Sequence, residues 1–131
     1  MEQFIQSSLP IAKLKVWQES INLVKQIYLL TRKLPKEELY CLTPQLRRAV
    51  ISIPSNLAEG QQKHSQKDFL RYIDIALGST AEIRTQLIVA REIYNVNIDL
   101  EENLAEAVSK MLHGLRKTIL SNINSEISAE I

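Results

Sequence analysis

Between Phe69 and Tyr94 the chain places mostly apolar side chains at Phe69, Ile73, Ala76, Thr80, Ile83, Leu87, Ala90 and Tyr94, in steps that alternate four and three throughout. That spacing returns each side chain to one face of an α-helix and is the pattern of a helix–helix seam. A strand would instead alternate every second residue. No long stretch does so, and only three glycines occur in 131 residues, so a sheet is not expected. A long helix with one apolar stripe must bury it against others.

The rest of the sequence supplies three more helices. The first is expected over 15–33, with Trp17, Ile21, Val24, Tyr28 and Thr31 on its stripe and Pro35 as its stop. Thr43 reads as the N-cap of the second, with Pro44 at the first helical position and Leu46, Val50, Ile53 and Leu57 facing inward. This helix is expected over 43–59, closed by Gly60 in a left-handed conformation. Ser65 and Asp68 form a capping-box-like start for the third, over 66–94, which Asn95 ends. Asp99 with Glu102 makes the next box, and Leu104, Val108, Met111, Leu115 and Ile119 mark a fourth helix over 100–123. Short links between amphipathic helices predict an all-α, antiparallel up-down-up-down four-helix bundle over 15–123. An irregular arm, 1–14, precedes it, and a tail, 124–131, with little helical patterning follows.

Pro54 lies inside the second helix, where a missing donor and a clash with the preceding turn typically cost ~3 kcal/mol. The expectation is a kinked helix, with Ser52 or Ser55 bonding the carbonyls that proline leaves unpaired.

The chemistry of catalysis is thinly represented. His64, His113 and Cys41 are far apart, without ligand-pair spacing, and no Glu-x-x-His occurs. Gly60, Gly78 and Gly114 are isolated, so there is no phosphate loop or dinucleotide fingerprint. No metal, cofactor or catalytic residue is assigned. One cysteine allows no intrachain disulfide, which fits a reducing cytoplasm. The start carries Glu2 and does not read as a secretory signal, and no apolar run is long enough to span a membrane.

Net charge is +1, but residues 1–65 balance at +4 and residues 66–131 at −3. Lys63, Lys67 and Arg71 are the candidates for a polyanion-binding patch, although an exposed basic stretch is more often a solvated face. Arg47 and Arg48 open the second helix at its positive dipole end, where a cation needs a compensating partner. Glu59, Asp68 and Glu82 are the candidate carboxylates, with Asn56 joining the polar network; the alternative is phosphate contact by these arginines together with Lys63, Lys67 and Arg71. In the third helix Ala76 and Thr80 read as packing within the bundle. Gly78, Ser79 and Ala81 extend that small-residue patch around the helix and are candidates for a subunit contact.

A resemblance covers residues 13–94. Val16-Trp17-Gln18, Ile27-Tyr28, Leu34-Pro35, Gln45 to Ala49, Ser52 to Gly60, Asp68 to Tyr72 and Ile75 to Ser79 with Glu82 resemble the four-helix-bundle proteins encoded in intervening sequences of bacterial 23S ribosomal RNA genes. The resemblance implies a bundle that assembles as a homopentamer and implies no catalytic activity. A related branch, the accessory variability determinant of diversity-generating retroelements, partners a reverse transcriptase and binds nucleic acid through a basic surface. The near-neutral charge here departs from that branch.

The resulting expectation is a non-enzymatic, cytoplasmic, homo-oligomeric scaffold that contacts RNA or a nucleic-acid enzyme, without membrane or small-molecule ligand. The alternatives are an accessory subunit of a retroelement reverse transcriptase, and a hydrolase or nuclease built on an unrecognised polar cluster.

Overall fold

The computed structural model describes Ser7 and residues 9–130. The other residues of the expected arm, 1–6 and 8, and Ile131 of the expected tail lie outside the described residues. Four α-helices follow one another: α1 Lys15–Thr31, α2 Leu42–Gln61, α3 Gln66–Tyr94 and α4 Asp99–Glu130. Short 3-10 turns occupy Pro10–Lys13 and Lys36–Glu38, and no strand occurs among the described residues.

Contacts fix the directions. Ser52 of α2 meets Ser79 of α3, and Glu59, seven residues on, meets Tyr72, seven residues back, so the two helices are antiparallel. Arg84 reaches Glu102, and Asp74, earlier on α3, reaches Arg116, later on α4. Arg47, near the start of α2, meets Tyr28 and Thr31 at the end of α1. α1 also packs on α4, which closes the ring of four.

The stripes of α2 and α3 are where the spacing put them. Leu46, Val50, Ile53 and Leu57 are wholly buried, as are Ile73, Ala76, Ile83, Leu87 and Ala90. Burying one such larger side chain contributes about 1.5–3 kcal/mol, offset by the entropy of ordering it. Ser65 Oγ accepts the Asp68 N–H at 3.0 Å, and Asn95 ends α3 at φ 56°, a conformation asparagine tolerates.

On α1 and α4 the buried row overlaps the expected one only in part: Trp17, Thr31, Val108 and Ile119 are buried as expected. Val16, Ser20, Leu23, Ile27 and Leu30 face the core, while Ile21, Val24 and Tyr28 are its half-buried flank. Ser20 hides the true row from a hydropathy reading. Its hydroxyl donates to the Trp17 carbonyl at 2.7 Å, which satisfies it inside the core. On α4, Ala105, Val108, Leu112, Ile119 and Ile123 are buried, with Leu104, Met111 and Leu115 flanking them.

Helix ends required four corrections. Thr43 is not an N-cap; α2 starts at Leu42, whose N–H is taken by Glu38 Oε1 at 3.1 Å. Gly60 is helical rather than left-handed, because α2 runs on to Gln61. The Asp99–Glu102 box does not form. Asn97 Oδ1 accepts the Asp99 N–H at 2.8 Å, while Glu102 turns to Arg84. Finally, α4 does not fray after Ile123 but continues to Glu130. Ile119, Ile123 and Ile127, spaced by four, carry one row past the expected end. The arm is also less irregular than expected: its 3-10 turn buries Ile11 and Ala12.

α2 is continuous across Pro54, which is itself buried. Neither serine plays the expected part. Ser55 is exposed, and the Ser52 hydroxyl leaves its own helix to pair with Ser79.

Candidate functional site

Three surfaces bring the singled-out residues together. The first is a groove of about 360 Å3 between α2 and α3, lined by Gln45, Arg48, Ala49, Ser52, Ser79 and Glu82. Its floor holds the Ser52–Ser79 hydroxyl pair. Asn56 Nδ2 donates to the Ser52 carbonyl at 2.8 Å and to Ser52 Oγ at 3.2 Å, so Asn56 does join a polar network. Ser79, 8% exposed, is engaged within the chain by Ser52.

The arginines do not pair with carboxylates as expected. Arg47 Nε donates to Thr31 Oγ1 at 3.0 Å, and its guanidinium lies 4.4 Å from the centre of the Tyr28 ring. Glu59 instead accepts the Tyr72 hydroxyl at 3.1 Å. Helix geometry gives the reason: twelve residues separate Arg47 from Glu59, roughly 18 Å of helix axis, beyond side-chain reach. Arg48 and Glu82 share the groove, but neither arginine forms an ion pair among the described residues.

The second surface is at the α2–α3 turn. Lys63, Lys67 and Arg71 are all exposed. Lys63 Nζ and the Arg71 guanidinium lie 5.6 and 5.0 Å from the Tyr72 ring centre, within the range of cation–π attraction. Arg71 also approaches Asp68 at 3.9 Å. The extended end of α4 changes the electrostatics here. Lys63, His64 and Lys67 share a cleft of about 510 Å3 with Glu126 and Glu130, so the patch carries both signs. The sequence reading missed those carboxylates because it ended the helix too early.

The third surface is the outer face of α3. Gly78 and Ala81 are exposed, and a Cβ on Gly78 would meet nothing within 4 Å. Ile75 and Val89, at 43% and 39% exposure, extend the Gly78 face in both directions, while Ile88, 41% exposed, lies nearer Ala81 farther round the helix. Ala76 and Thr80 pack inside the bundle, as the sequence suggested.

One titratable group is strongly perturbed. The Tyr94 hydroxyl donates to Glu38, and that bond, burial and the charges of Glu38 and Glu37 push its pKa up to about 12. Glu38 thereby ties the α1–α2 link and the start of α2 to the end of α3. No group of three or more His, Cys, Asp or Glu suited to a metal ion occurs among the described residues. No helix there is long and apolar enough to cross a membrane.

Fold and surfaces together define an all-α four-helix-bundle protein. The sequence profile described as 23S rRNA-intervening sequence protein matches residues 12–115, and the chain belongs to that family. It is also similar in structure to a protein of unknown function from the S23 ribosomal protein family of Bacteroides thetaiotaomicron. The TM-score is 0.72 at 22% identity, over 78% of this chain and 98% of that one. No curated protein matches the chain.

Proposed function

We propose that this chain is a non-catalytic scaffold that works as a homo-oligomer, a pentamer as the family resemblance implies, in the cytoplasm. The observation that carries the reading is the outer face of α3. Ile75, Gly78, Ala81, Ile88 and Val89 leave small and apolar groups exposed among the described residues. Small residues let another backbone approach, and exposed branched side chains gain by burial. The adjoining groove adds Arg48 and Glu82, groups of opposite sign suited to a neighbouring subunit.

RNA or a nucleic-acid enzyme is the proposed partner of the assembly, with Lys63, Lys67 and Arg71 as the phosphate-facing groups. Repetition around a ring would multiply a weak contact by avidity. The mixed charge of that cleft predicts modest affinity, and the phosphate contacts of its cations make that affinity salt-dependent.

The test is Gly78→Glu. The position is open within the chain, so the variant keeps its helical circular dichroism while its assembly dissociates. An unchanged native mass for the folded variant refutes α3 as the contact.

A further inference from the structure

From Lys15 to Gln61, the span of α1 and α2, the sequence carries seven cations, Lys15, Lys25, Arg32, Lys33, Lys36, Arg47 and Arg48, against four carboxylates, Glu19, Glu37, Glu38 and Glu59. Glu38 is engaged inside the fold by the Leu42 N–H and the Tyr94 hydroxyl. The hairpin of α1 and α2 therefore carries a net charge of +3.

Within it lies an apolar groove of about 360 Å3, lined by Val24, Lys25, Tyr28, Leu29 and Arg32. Leu29 is 47% exposed, and Ile51, one turn beyond Arg47 on α2, is 41% exposed. Arg47 is fixed beside this groove by two neutral groups, the Tyr28 ring and the Thr31 hydroxyl. Neither cancels its charge, and no carboxylate among the described residues pairs with this guanidinium. Lys25 and Arg32 add two more cations along the same face.

We propose that this groove docks an acidic amphipathic segment of a partner protein. Apolar side chains at helical spacing would seat on Val24, Tyr28 and Leu29, and flanking carboxylates would meet Lys25, Arg32 and Arg47. Charge complementarity selects the acidic partner. The apolar lining selects a peptide over a nucleic acid, because a phosphate backbone would gain nothing from Leu29 or Val24 and would keep only the three cations. This surface is separate from the α3 face and does not depend on it.

The experiment is a display selection of random helical peptides on the immobilised wild-type chain, followed by fluorescence anisotropy of the recovered peptides. Recovered sequences are expected to carry apolar residues three and four apart, interleaved with Asp or Glu. Leu29→Asp and Arg32→Glu should each weaken their binding by about tenfold, equivalent to about 1.4 kcal/mol. Both positions are exposed, and circular dichroism checks that the fold is kept. Lys110→Glu, on the exposed side of α4, should leave binding unchanged. Recovery of no peptide, recovery of peptides without carboxylates, or indifference to both groove variants overturns the proposal. Displacement of the peptides by a short single-stranded RNA whose own binding ignores Leu29→Asp also overturns it, making the face a polyanion surface.

Discussion

Gly60 of α2 lies against Tyr72 of α3 so closely that a Cβ on Gly60 would stand 2.6 Å from Tyr72 Cβ and 3.0 Å from Phe69 Cδ1. The absent side chain lets the two helices approach at this end, where Tyr72 also reaches Glu59. Gly60→Ala would gain about 1 kcal/mol in helix propensity. It would lose more by pushing on a Cβ that cannot swing away, since overpacking costs about 1–3 kcal/mol. Chemical denaturation should show a net loss of about 1 kcal/mol.

Tyr94 predicts an alkaline limit. A phenol whose pKa rises from 10.0 to about 12 on folding favours the protonated form in the folded chain. Its stabilisation is complete below pH 10 and is lost as pH climbs through about 12. Tyr94→Phe should lower the melting temperature at pH 7, and its gap from wild type should close between pH 10 and 12.

The Ser52–Ser79 bond couples α2 to α3 beneath the polar groove. Ser79→Ala should cost about 1 kcal/mol. The double variant Ser52→Ala, Ser79→Ala should cost less than the sum of the two singles, because the first change already removes the bond. Urea unfolding of the four proteins measures the difference.

The turn patch predicts opposed charge effects on RNA. Reversing Lys63, Lys67 and Arg71 should weaken binding and flatten its salt dependence, by about one phosphate contact per cation lost. Glu126→Gln with Glu130→Gln should strengthen binding, since those carboxylates share the cleft. Anisotropy of a labelled RNA across a salt series checks both.

The fold was legible because the rows on α2 and α3 are unbroken. Leu46 to Leu57 and Ile73 to Ala90 could face only one way. On α1 the core row passes through Ser20, whose bond to the Trp17 carbonyl is invisible in hydropathy. The candidate sites were less legible because side-chain partners depend on which neighbour each helix face meets. Arg47 reads as a cation seeking a carboxylate, yet it faces α1, where Tyr28 and Thr31 hold it. The Arg47–Glu59 separation along one helix could have excluded that pairing from the sequence alone. Gly60 reads as a helix terminator because its close neighbours, Phe69 and Tyr72, belong to the next helix.

The native mass of the wild-type chain tests the central claim most directly. Light scattering on dilute protein at moderate salt reads it without a shape assumption. The scaffold account predicts a single species near five times the 15.0 kDa of one chain. A species of 15.0 kDa would contradict it, leaving the outer face of α3 uncovered in solution.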